Sequence, residues 1–286
     1  YGLFIDTWFE ITPDECGYSL TGAFVDSKCL GSQFVKGAKT EEHPEIDMLY
    51  LQGLCGSALA DGDKIRNTSL YEHIKICMLK HFSLGKLDKE GNEIKVHAKL
   101  SKESLKKHTL SVCHSFFDWF PELKVDEVHP SILKSKTRQY EDAGLLVNSP
   151  YFSVLRKERN VDLIISLDFS DGDPFETVDK AAQMCKDLQI PFPTVEHPEN
   201  IEEPEDFYVF KNNPNAPVVI HIPFFNAGNC KGEVNMWKNR YQTFQSAYND
   251  KMISDLLEKA GLNITNTKEK LLREIEEVIK KKKEHS

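Results

Sequence analysis

The apolar positions of this 286-residue chain change their period along its length. From Leu163 to Phe169, Leu, Ile and Phe follow one another with little polar interruption, between charged residues at the entry and Ser170-Asp171 at the exit. A short apolar run bounded in that way predicts a strand buried on both faces. Phe207–Phe210 and Val218–Ile222 are further strand candidates, each with turn chemistry nearby. Between the first run and these two the spacing lengthens. Phe175, Val178, Ala181, Ala182, Cys185 and Leu188 recur at helical intervals, so Phe175 to Ile190 reads as an amphipathic helix ended by Pro191-Phe192-Pro193. Helical spacing returns at Met252, Ile253, Leu256 and Leu257, with Gly261 as the expected stop. A last helix is expected after it, capped by Asn266 and Glu269, with Leu271, Leu272, Ile275, Val278 and Ile279 facing inward.

The stretch 60–138 is patterned more loosely. Leu70, Ile74, Cys77 and Met78 fall at helical spacing, as do Leu105, Val112 and Phe116, and Asp88 to Asn92 between them reads as a polar turn or small hairpin. Ser115 to Phe120 is the most aromatic stretch and reads as core packing in preference to a membrane-facing rim. His221, inside an apolar run, reads as a hydrogen-bonded core histidine, and His197, beside Pro198 in a polar loop, as exposed.

Composition narrows the function classes. A content of 40% hydrophobic residues at this length allows a sizeable core. The net charge of −9, with no basic stripe, argues against bulk binding of nucleic acid. The 7 cysteines are odd in number and scattered with no C-x-x-C pair, which favours reduced thiols in a cytoplasmic setting over disulfides or zinc. No metal site and no calcium loop is expected, and no run approaches the roughly 18 apolar residues of a transmembrane helix. The chain opens on Tyr1, which reads as a fragment.

Three places offer chemistry. Asp142-Ala143-Gly144 leads into a polar turn closing at Asn148-Ser149-Pro150; an aspartate beside a glycine at a tight turn can aim a carboxylate into a cleft, or can serve only as an Asx-type turn residue. Arg156-Lys157-Glu158-Arg159 places cations at the entry to the first apolar run, where Arg159 can anchor a phosphate or pair with Glu158 or Asp162. Gly53-Leu54-Cys55-Gly56-Ser57 imitates a nucleophile elbow with cysteine as the nucleophile, although what precedes it, Thr40 to Glu45, reads as a solvated loop or helix start instead of a buried strand. Lys280 to Lys283 would either complement a helix dipole or touch anionic lipid at about 1 kcal/mol per charge.

The segment D-x-G, N-x-P-Y, L-R-x-x-R-x-V-D-L-I-I-S-x-D-F-S, from Asp142 to Ser170, closely resembles the C-terminal half of the catalytic domain of group IV cytosolic phospholipase A2, an enlarged relative of the patatin lipases. Trp8 to Pro13, Gly31 to Gly37, Leu51 to Ala58 and Tyr241 to Tyr248 resemble other family segments in the family's order. The resemblance implies an α/β fold with a central, largely parallel sheet flanked by helices. It also implies a small helical cap or lid near 60–115 and closing helices over 240–286. The implied activity is hydrolysis of the sn-2 acyl ester of glycerophospholipids, with lysophospholipase capacity, by a serine–aspartate dyad without histidine. Asp142 matches the catalytic aspartate and Arg159 the phosphate-binding arginine. The family's G-L-S-G-S serine has no match here and is expected upstream of Tyr1, so the chain alone is expected to be inactive. No cofactor is expected in these residues, calcium entering only with an upstream C2 module. The implied partner is phospholipid at a membrane surface, met transiently by a cytoplasmic protein. The rival readings are a catalytically dead lipid-binding or interaction homologue and a hydrolase dependent on Cys55.

Overall fold

The computed structural model describes residues 8–35, 38–42, 44–56, 111–113, 137–140, 142–170, 172–242 and 247–285. They fall into two units, Tyr1–Leu146 and Val147–Ser286.

The first unit opens on an antiparallel meander of β1 (Phe9–Ile11), β2 (Glu15–Tyr18) and β3 (Ala23–Asp26). Thr12 closes the first turn, its hydroxyl donating to the Glu15 carbonyl at 2.8 Å and accepting the Glu15 N–H at 3.0 Å. Gly17 is required in β2 because a Cβ there would lie 2.0 Å from the Ala23 carbonyl oxygen. Cys16 and Leu30 form the buried centre, with Phe9, Ile11, Val25, Ile46 and Leu51 packed on it. A hairpin of β4 (Gln33–Val35) and β5 (Ala38–Glu41) follows, then α1 (Met48–Cys55), whose cap Asp47 accepts the Tyr50 N–H at 2.9 Å. β6 (Ser111–Cys113) and β7 (Thr137–Gln139) pair antiparallel. Apart from β6, the cap expected over 60–115 lies outside the described residues, as does the aromatic stretch 115–120.

The second unit is α/β. A short helix, α2 (Tyr151–Val154), buries Tyr151 and Phe152 and leads towards β8 (Leu163–Asp168). Then come α3 (Glu176–Asp187), β9 (Tyr208–Phe210), β10 (Val218–Pro223), α4 (Ala227–Cys230), α5 (Val234–Arg240) and α6 (Asp250–His285). The sheet order is β8-β10-β9, with β10 parallel to β8 and antiparallel to β9. The helical spacing from Phe175 and the apolar runs at Phe207 and Val218 are thus expressed where they were expected. α3 buries Val178, Ala181, Met184 and Cys185, and Val219, Ile220, His221 and Ile222 of β10 are fully buried.

Three expectations are corrected. Val112, read at helical spacing, lies in strand β6, where pairing with Arg138 of β7 overrides the local period. β8 is not buried on both faces: among the described residues it lies at the edge of the sheet, and Ile165 and Leu167 are exposed while Ile164 and Asp168 are buried. The closing helices are a single 36-residue helix, α6, running through Gly261 and Asn266 without a break. A glycine inside a helix costs about 1 kcal/mol. Tertiary contacts on either side of it outweigh that cost. Lys259 is buried, donates to the Asn229 carbonyl and lies 4.1 Å from the centre of the Trp237 ring. Asn263 Oδ1 accepts from Asn226 and Asn229, each at 2.8 Å, and its amide donates to the Phe224 carbonyl at 3.1 Å. A helix stop between these anchors would leave buried polar groups unpaired.

Candidate active site

Asp142 caps one 3-10 turn, Ala143–Leu145, and its Oδ1 accepts the Gly144 N–H at 2.8 Å. Leu146 N–H closes the turn on the Ala143 carbonyl at 3.0 Å. Just upstream, Tyr140 packs its ring 4.5 Å from that of Phe9, which ties the approach to the meander. Asp142 is half-buried, and its charge reaches Cys55 at the end of α1.

That proximity bears on the cysteine reading. A nucleophile elbow is a sharp strand-to-helix turn, whereas Cys55 is the last residue of α1. Its thiol is pushed up, first by burial and then by the Asp142 carboxylate, which is the wrong direction for a thiolate nucleophile. Burial pushes the Cys16 and Cys185 thiols up to about 12. Among the described residues, no group of three or more His, Cys, Asp or Glu side chains can hold a metal ion.

Downstream of the D-x-G turn, the polypeptide is fastened to the carboxyl end of β8. Val147 is buried. The Asn148 amide donates to Ser170 Oγ at 3.0 Å, and Ser149 Oγ lies 3.2 Å from Thr177 Oγ1. Thr177 gives its one hydroxyl proton to Asp168 Oδ2 at 2.8 Å, so Ser149 must be the donor to Thr177. Asp168 Oδ1 takes the Ser170 N–H at 2.9 Å. Both routes, through Ser149 and through Ser170, converge on one buried carboxylate. The reading of the sequence missed this cluster. Its signal is Asp168, a charge interrupting an apolar run, because a charge buried in a strand demands partners.

His221 is the core histidine expected. Its Nε2–H donates to the Pro174 carbonyl at 2.7 Å, Nδ1 has no partner among the described residues, and burial pulls its pKa down. His197 is exposed and sits 3.0 Å from Asp179.

Arg159 belongs to the second unit. It ends the 3-10 turn Lys157–Arg159, is exposed, and precedes Asn160, which takes a left-handed φ of 45°. The turn stands at the amino end of β8, with the length of the strand, roughly 20 Å at 3.3 Å per residue, between it and Asp168. Asp162, one of the partners foreseen for Arg159, receives Lys282 of α6, which draws one lysine of the terminal run onto the sheet. Open parallel sheets bind ligands outside the carboxyl ends of their strands, which is the end held by Asn148, Ser170 and Asp168. No described helix is long and apolar enough to cross a membrane.

Comparison with known proteins supplies what geometry alone does not. No family model matches the chain. It is 32% identical to human cytosolic phospholipase A2 gamma over 334 aligned positions, which take in 94% of this chain and 62% of that protein. It is 30% identical to mouse cytosolic phospholipase A2 zeta, covering 77% of this chain and 31% of that one. The chain therefore spans less than two thirds of the length of these relatives. Among solved structures, human GIVD cytosolic phospholipase A2 superposes with a TM-score of 0.67 at 20% identity, over 96% of this chain and 42% of that chain. At that identity the likeness speaks for the α/β fold alone. The same human protein has been solved in complex with methyl gamma-linolenyl fluorophosphonate, and there the TM-score is 0.61.

Proposed function

With the chain established as a homologue of the cytosolic phospholipases A2 over most of its length, we propose that it forms the C-terminal part of a phospholipase catalytic domain. In this reading Asp142 is the general base for a serine supplied by polypeptide upstream of Tyr1. The serine oxygen attacks the sn-2 ester carbonyl of a glycerophospholipid while Asp142 takes its proton. Collapse of the tetrahedral intermediate breaks the ester C–O bond, and the lysophospholipid alcohol leaves with the proton from Asp142. Water then attacks the acyl-serine, Asp142 again taking and returning a proton, and the fatty acid is released. The same steps on a single-chain lipid give lysophospholipase activity.

The observation that carries the reading is the Asp142 turn: a half-buried carboxylate held at Oδ1 by a local N–H, in a segment that matches the family from Asp142 to Ser170. Arg159 is assigned to the substrate phosphate on the same match, its exposed guanidinium suiting an anionic head group at a lipid surface. The protein is then cytoplasmic and meets membranes transiently, with calcium entering only through an upstream C2 module.

The test is a chain extended at its amino end to the length of the gamma-type relatives, assayed on phospholipid vesicles. We expect release of fatty acid from the sn-2 position by the extended chain, none by the 286 residues alone, and loss of turnover with Asp142→Asn. An extended chain that binds vesicles and releases no fatty acid would convert the reading to a catalytically dead lipid-binding homologue.

A further inference from the structure

α6 carries an apolar stripe beside the face by which it packs on its own unit. The packing face is fixed: Lys259, Asn263 and Thr267 are buried, Glu274 pairs with Lys211, and Lys270 with Asp206. To one side of it Leu257, Ile264, Leu272 and Ile279 are 69%, 40%, 44% and 49% exposed. With Gly261, Lys268 and Ile275 between them, they follow at spacings of 4, 3, 4, 4, 3 and 4 residues. Steps of three and four keep side chains on one side of a helix, and a repeat of about 11 residues drifts little around it. The stripe is therefore continuous, roughly 33 Å long. Gly261 stands in it with no steric reason among the described residues. A Cβ there would meet nothing within 4 Å. Glycine is disfavoured inside a helix, but it lets another backbone come close.

We propose that this stripe is a self-association surface, on which α6 of a second copy lies antiparallel with the two-fold axis at Lys268. The spacings read the same in both directions from Lys268, so a single antiparallel register serves every position. Leu257 meets the partner's Ile279, Ile264 meets the partner's Leu272, and Gly261 offers a hollow to the partner's Ile275. A two-fold contact requires a patch complementary to itself in this way. The bordering charges agree. Glu258, Glu269, Glu276 and Lys280, each next after a stripe residue, are all exposed. In this register Glu258 falls beside the partner's Lys280, twice by symmetry, and Glu269 beside the partner's Lys268. The same three carboxylates oppose docking of the stripe on anionic lipid. A surface of about 33 Å by 10 Å on each copy lies at the small end of specific interfaces, so association is weak, in the micromolar range.

The experiment is sedimentation velocity across the micromolar range, on the 286-residue chain and on the chain extended to the length of its gamma-type relatives. Both should pass from monomer to dimer. Gly261→Leu should weaken the dimer about 10-fold or more, while the melting temperature of the monomer stays or rises, because the added side chain has room in one copy and none in two. Glu258→Lys should weaken the dimer a few-fold, and Lys280→Glu added to it should restore the wild-type constant. Monomers throughout the range in both chains overturn the proposal. So does a dimer indifferent to Gly261→Leu, which would lie elsewhere. A dimer of the 286 residues that the extended chain does not form would give the stripe to upstream polypeptide and overturn it too. Binding of a monomeric extended chain to phosphatidylserine vesicles, lost with Leu257→Glu, would make the stripe a lipid face and do the same. Association is read without substrate, so its failure leaves the assignment of Asp142 untouched.

Discussion

Asp142 and Asp168 each turn back to accept the N–H two residues on, from Gly144 at 2.8 Å and from Ser170 at 2.9 Å. Beyond that shared motif they differ. Asp168 is buried, and its second oxygen takes the Thr177 hydroxyl at 2.8 Å, so it serves as the node of a network holding a loop to a strand. Asp142 is half-buried, in a turn closed by its own neighbours, with a thiol whose pKa it raises nearby. The lesson is that an Asx-type turn specifies how a carboxylate is held and says nothing of what it does. Burial decides that: a buried carboxylate is committed to the groups that hold it, and a half-buried one at a turn can exchange a proton with a substrate.

The sharpest way to break the contrast is to remove the carboxylate at each site in turn. In the extended chain, Asp142→Asn should lower turnover on the order of 10³-fold, with the unfolding transition unmoved. Asp168→Ala should instead lower stability by about 3 kcal/mol, because it leaves the buried Thr177 hydroxyl and Ser170 N–H without acceptors. Urea unfolding of both variants measures this, and a larger stability loss at Asp142 than at Asp168 would reverse the comparison. Thr177→Val probes the same network more gently and should cost about 1–2 kcal/mol, whereas Thr177→Ser, which keeps the hydroxyl, should cost less.

His221 reports on the Asp168 side through pH. Its pKa is depressed in the folded protein, chiefly by burial, against the smaller opposing pulls of Asp168, the Pro174 carbonyl and Asp179. The unfolded state then binds the proton first as pH falls. The contribution of His221 to stability is fully present above its ordinary value near 6.5 and is lost as pH drops from there towards the folded value. Unfolding midpoints measured between pH 7 and pH 5 should fall, and His221→Gln should flatten the slope. The smallest effect belongs to the Asp142 side. Cys55 should react with iodoacetamide at pH 8 more slowly than a free thiol, and Asp142→Asn should speed it a few-fold by removing one of the two causes of its raised pKa. An unchanged rate would mean that burial alone sets that thiol.

Elements whose order is local are legible in the residues themselves. The run at Leu163, the spacing from Phe175 to Leu188 and the run at Val218 carry their period in adjacent residues, and they fold as β8, α3 and β10. Asp142 and Arg159 stand out through a resemblance carried by linear motifs, so the amino-acid order is enough to single them out. The cluster of Ser149, Thr177 and Asp168 is not legible in that way, since its members lie 9 and 28 residues apart and become neighbours only when the chain folds back.

The sequence by itself determined the strands at Leu163 and Val218, the helix from Phe175 and which family the chain resembles, because periodicity and motif are properties of near neighbours. Tertiary structure alone decided that α6 continues through Gly261, because Lys259, Asn263 and Thr267 are buried around it, and that one face of β8 stands open. It also decided which aspartate is locked into the core and which remains half-exposed. Those outcomes turn on what covers a residue, and cover comes from segments far away in the chain.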